Sequence, residues 1–133
     1  MAETPDKLAA LAPMLGEWSV RGTVHGEPVS GTASARPVLG GAWIEYAEVI
    51  DGYEDLCLYG VGEEGDLVVH HFTSEGHAAS HTVLPRDGGG LHWVPAKGMG
   101  AFVRLIWEDE GFRTEVGRFE ADELDVVLTF RPA

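Results

Sequence analysis

Tyr59, His70 and His81 are the residues whose types and spacing best suit chemistry in this chain. Imidazole titrates close to working pH, and a phenol can donate or accept a hydrogen bond. If the three stand on neighbouring antiparallel strands joined by tight turns, they fall in one row on a common face. Such a row could hold the polar atom of a ligand or move a proton on it. Tyr46 and Phe72 fall on the same face. Arg104, between Phe102 and Ile106, would be an anion anchor if its strand turns it inward. A surface arginine paired with the chain's many acids is the plainer reading of that residue. The expected ligand-binding set is therefore Tyr46, Tyr59, His70, Phe72, His81 and Arg104.

The face assignment starts from Trp18 pointing inward and is carried through the turns by the two-residue period of strands. Val20, Gly22 and Val24 follow Trp18, then Val29, Gly31, Ala33 and Ala35 across Gly26-Glu27. Ile44, Tyr46, Glu48 and Ile50 come next, then Tyr53, Asp55, Cys57, Tyr59 and Val61. Val68, His70 and Phe72 follow across Glu64-Gly65, and Ala79, His81 and Val83 across Glu75-Gly76. One bulge would invert everything downstream. The opposite register lines the interior with Trp43, Glu45, Leu58, His71, Ser80 and Thr82. Trp93 can face either way, because the Gly-rich loops on either side of it have uncertain lengths.

Other chemistries find less support. His70, His71, His77 and His81 are dense, but a metal site needs three or four converging ligands, and only His70 and His81 share a face as neighbours. Asp55 and Glu48 lie in other rows, so no metal and no cofactor are expected. Glu45, Glu48 and Asp55 could form a carboxylate pair; such residues more often sit outside a barrel, and a buried one would have a raised pKa. No Gly-x-Ser-x-Gly elbow is present, which leaves acyl-enzyme hydrolysis unsupported. The Gly-rich stretches bridge strands and open no helix, so they do not cradle phosphate.

The elements that must position these residues are short strands between turn signals. Strands are expected near 17–25, 28–36, 42–50, 53–62, 67–74, 77–85, 91–96, 101–108, 112–120 and 123–131. Only the start reads as helix: Thr4 caps, Pro5 suits the first helical position, Leu8, Leu11 and Leu15 recur at helical spacing, and Pro13 and Gly16 end it. It is short enough to serve as a lid or plug. About ten strands in a meander avoid exposed edges best by closing, which predicts an all-β, closed antiparallel barrel with a short N-terminal helix. A sandwich is the competing architecture.

At 133 residues the chain suits one domain, spanning 1–133, with a core that needs no staple. A formal net charge of -13 makes nucleic acid and anionic membrane surfaces poor partners. The single Cys57 permits no internal disulfide, and the first residues lack a signal-peptide pattern. A cytoplasmic protein is the expectation.

Gly16-Glu17-Trp18, where the helix hands over to the first strand, resembles the Gly-x-Trp signature of lipocalins and other calycins. The resemblance implies that Trp18 closes the base of the barrel beneath an arginine of the last strand, here Arg131, by cation–π stacking. Leu15-Gly16-Glu17-Trp18, Val38-Leu39-Gly40-Gly41-Ala42-Trp43-Ile44-Glu45 and His70-His71-Phe72-Thr73-Ser74-Glu75-Gly76 together resemble a bacterial domain-of-unknown-function family of fatty-acid-binding-protein-like barrels. That likeness runs through nearly the whole chain and speaks to fold more than to function. Nitrobindin-type barrels fit less well: they hold haem through a late histidine, and the last one here is His92. Fatty-acid-binding proteins use an Arg-x-Tyr in the final strand, and no tyrosine stands near Arg131.

Three functions follow as hypotheses. The first is a binding protein for a small, largely hydrophobic molecule in a barrel cavity. The second is a cavity enzyme, a cyclase or isomerase that folds a hydrophobic natural-product-like substrate, with Tyr59 and the histidine row as acid–base helpers. The third is a structural or interaction module, and exposed hydrophobics at one rim would allow a homodimer.

Overall fold

The structure is a computed structural model that describes residues 6–95, 101–118 and 124–133. Ten strands follow a short helical segment: β1 Gly16–Val24, β2 Glu27–Val38, β3 Trp43–Ile50, β4 Tyr53–Val61, β5 Leu67–Thr73, β6 Ala78–Pro85, β7 Gly90–Trp93, β8 Ala101–Glu108, β9 Gly111–Arg118 and β10 Leu124–Pro132. Each pairs antiparallel with its sequence neighbours, and β1 pairs with β10, so the meander closes into a barrel. Residues 96–100 and 119–123, which hold the ends of the expected strands 91–96 and 112–120 and the start of 123–131, lie outside the described residues, as do the capping Thr4 and Pro5.

Turn chemistry sets the register. His25-Gly26 and Asp51-Gly52 are two-residue loops with both residues at positive φ, the geometry whose twist matches paired strands. Val24 consequently opposes Glu27, not Val29, although the inward set is unchanged. The next two hairpins are different. The amide of Gly62 donates to Asp66 O at 2.8 Å, and that of Thr73 to His77 O at 3.0 Å, which encloses three-residue loops ending in Gly65 and Gly76. Both glycines take a φ of 87°, where a side chain would be strained. An odd loop shifts the strand after it by one residue. The inward face of β5 is therefore Leu67, Val69 and His71, and the expected Val68, His70 and Phe72 point outward. The second odd loop cancels the first, so His81 and Val83 on β6 face inward as expected.

The helical segment is shorter than its spacing predicts. An α-helical turn spans Asp6–Ala9 and a 3-10 turn Ala12–Met14, with Leu8, Leu11 and Met14 buried. Leu15 has already left the helix in an extended conformation and is partly exposed, so Met14 takes the inward place. The segment lies against β4 and β9 and plugs one end of the barrel.

Trp18 sits at that end. Its Nε1–H donates to Met14 O at 2.8 Å, which ties plug to barrel. The indole meets the Phe112 ring edge-on, with centroids 5.2 Å apart, and Phe112 stacks on Phe130 at 4.1 Å. No arginine covers it. Ser19 opposes Arg131, so that residue points outward and joins Glu108 at 3.1 Å. The cation–π cover implied by the calycin resemblance is replaced by an aromatic stack.

Candidate functional site

Inward residues from nine of the strands, all but β6, line a cavity of about 580 Å³, within the range of small-molecule sites. It runs from Met14 of the plug to His25, Asp51 and Glu75 on the hairpin turns of the opposite end. Val103, Leu105, Val116, Val126 and Leu128, from β8, β9 and β10, form an apolar wall. Tyr46, Glu48, Asp55, Cys57, Tyr59 and His71, from β3, β4 and β5, form a polar wall opposite.

The polar wall is assembled by cross-strand pairing. Tyr46 opposes Cys57, which opposes His71; one row along, Glu48 opposes Asp55. The Tyr46 hydroxyl donates a short hydrogen bond to Glu48 Oε1. His71 Nε2–H donates to Asp55 Oδ1 at 3.1 Å. Burial pushes the Glu48 carboxyl up to about 8, and the neighbouring Asp55 adds to this, while the Tyr46 hydrogen bond opposes it. Glu48 is thus predominantly a neutral acid at pH 7. Burial, then the adjacent Glu48, raises Tyr46 well above its ordinary value. Burial also raises Tyr59 and the Cys57 thiol. The wall therefore offers a protonated carboxyl, two neutral phenols and a carboxylate-bound imidazole, groups that can bind a polar atom or exchange a proton with it.

Trp93 of β7 completes this side. Its Nε1–H donates to Tyr59 Oη at 3.2 Å, and its ring lies 5.4 Å from that of His71 and 5.3 Å from that of His81.

The expected site residues separate accordingly. Tyr46 and Tyr59 line the cavity. His81 faces inward and is buried, but its Nδ1 bonds Val94 O at 2.9 Å and Trp93 stands at the cavity surface in its place. His70, Phe72 and Arg104 lie outside. His70 bonds Ser80 Oγ at 2.7 Å, and Phe72 is 41% exposed. Arg104 opposes outward-facing His92, pairs with Glu115 at 2.9 Å and packs over the Phe102 ring. The expected row of Tyr59, His70 and His81 is in fact Tyr59, Val69 and His81.

His71, Glu48, Asp55 and Trp93 are the residues absent from the expected set. The alternation places Glu48 and Asp55 on the inward face and allows them as a carboxylate pair, the arrangement found here without Glu45. His71 was legible only in the opposite register. The signal that finds it is Glu63-Glu64-Gly65 and Ser74-Glu75-Gly76, two three-residue loops with glycine third.

Among the described residues, no three histidine, cysteine, aspartate or glutamate side chains are placed to share a metal ion. No described helix is long and apolar enough to cross a membrane. No protein-family model and no curated protein matches the chain. The architecture itself, a closed ten-stranded antiparallel barrel with an N-terminal helical segment, is consistent with a calycin-type fold.

Proposed function

We propose that the protein binds a small, largely hydrophobic molecule inside the barrel, with a polar group of that molecule on the Tyr46–Glu48–Asp55–His71 wall. The observation that carries this reading is the two-sided cavity of about 580 Å³. A closed barrel whose purpose was only structural gains nothing from an unfilled interior, because empty volume costs stability at roughly 24 cal/mol per Å³ of cavity. Native mass spectrometry tests the proposal. The gently purified chain should carry one small molecule, or take up one N-phenyl-1-naphthylamine per chain. Thr114→Phe places a ring into the cavity between Leu105 and Leu128 and should abolish uptake. Equal uptake by the folded variant would argue against an interior site.

A second reading is favoured by one observation: the neutral Glu48 acid and the Asp55-bound His71 stand on the same wall. A general acid beside a general base could isomerise or cyclise a hydrophobic substrate held against the apolar wall. Turnover that falls in His71→Ala and Glu48→Gln while binding persists would select this reading.

A further inference from the structure

We propose that the cavity selects hydrophobic amines, whose aliphatic or aromatic body fills the apolar wall and whose ammonium group sits on the Glu48–Asp55 carboxyl pair. The inference rests on the binding function proposed above and assigns its ligand class. The cavity itself is the site; the carboxyl pair sets which charge it accepts.

Position comes first. Glu48 and Asp55 are direct cross-strand partners whose side chains share the inward face, which leaves them close enough to interact strongly. The titratable groups facing Glu48 are Tyr46 on its own strand, Tyr53, Asp55, Cys57 and Tyr59 on β4, and His71 on β5. No lysine or arginine is among the described lining residues. Arg104 and Arg113, the basic residues nearest this region of β8 and β9, are turned outward onto Glu115. A fatty-acid carboxylate would therefore meet two carboxyl groups and no lysine or arginine among the described lining residues. An ammonium meets hydrogen-bond acceptors of opposite charge, the stronger kind of pairing in a poorly hydrated site.

Two further features point the same way. The Tyr59 hydroxyl, fully buried against the cavity, accepts from Trp93 Nε1 and gives its own proton to no acceptor among the described residues. It is a polar group oriented to the interior with capacity left for a ligand. Asp51 and Glu75 stand with His25 on the turns where the cavity meets the surface, and the chain carries a formal net charge of -13. A negative rim over a low-dielectric cleft concentrates cations at its mouth.

With its carboxyl raised to about 8, free Glu48 is mostly protonated at pH 7, so an arriving ammonium displaces that proton to solvent and leaves the carboxylate as its counter-ion. Binding should release close to one proton per ligand.

Isothermal titration at pH 7 with octylamine, 1-octanol and octanoate tests this, run in two buffers of different ionisation enthalpy. The expected order is octylamine tighter than octanol by at least about tenfold, octanoate weakest, and proton release with octylamine alone. Glu48→Gln and Asp55→Asn should each bring octylamine affinity down to the level of octanol measured in the same variant, and a cooperative thermal transition of each variant reports that the barrel is folded. Octanol binding as tightly as octylamine, or a preference for octylamine that survives both substitutions, would overturn the amine assignment and leave the binding function standing. Failure of all three ligands would instead remove the binding function itself.

Discussion

Replacing Glu48 by glutamine should make the protein more stable as the pH rises, and the size of the gain can be worked from the site. In the folded barrel the carboxyl titrates at about 8, against an ordinary 4.5. A raised acid holds its proton in the folded state across a range where the unfolded chain has lost it. Stability associated with Glu48 is therefore present below about pH 4.5 and is lost as pH climbs toward 8. Each pH unit in that window costs about 1.4 kcal/mol, so at pH 7 the cost is on the order of 3 kcal/mol, reduced by whatever water the cavity admits. Glutamine keeps the shape and can still accept from Tyr46, but has no proton to lose. Urea midpoints for both proteins at pH 5 and pH 7.5 measure the difference, with the slope m checked for constancy. The wild type should lose roughly 2–3 kcal/mol relative to the variant between the two pH values. Parallel pH dependences would refute the burial of Glu48 as a neutral acid, because other titrating groups cancel in the comparison.

Trp18→Phe should cost about 1 kcal/mol or more through loss of the Met14 hydrogen bond and of indole packing on Phe112; urea unfolding checks it. Arg131→Ala, in contrast, removes a partly exposed pair with Glu108 and a hydrogen bond to Phe130 O, and should change stability by about 1 kcal/mol or less. Gly76→Val places a β-branched residue at a φ of 87° and should cost about 1–3 kcal/mol, read as a lowered thermal midpoint. His70→Ala and Arg104→Ala alter the outer surface, so N-phenyl-1-naphthylamine affinity should stay within about twofold, whereas Tyr46→Phe should perturb the polar wall and change it further.

The closed all-β barrel was legible in the sequence because strand length, turn spacing and alternation agree with one another. The faces of β1 through β4 were legible for the same reason: Trp18, Val20, Ile44 and Tyr59 each sit where the two-residue period places them. The error entered at one point, the turn after Val61. Treating Glu64-Gly65 as a two-residue loop moved His70 inside and His71 outside. A one-residue difference in loop length carries no hydrophobic signature of its own, since both Val68 and Val69 suit an interior. The Arg131 cover failed for another reason. The motif resemblance carried a partner for Trp18 that the ladder, pairing Ser19 with Arg131, turns to the opposite face. The polar wall was the least legible part, because Glu48 and Asp55 meet only through the β3–β4 register and are far commoner as surface residues.

The most direct test of an interior ligand site is methyl-resolved NMR during titration with N-phenyl-1-naphthylamine. The predicted result is saturable, one-to-one shifts of the inward methyls of Val103, Leu105, Val116 and Leu128, with the outward methyls of Val49, Leu56 and Leu84 unmoved. Shifts confined to Val49, Leu56 and Leu84, or no saturable shift at all, would contradict it.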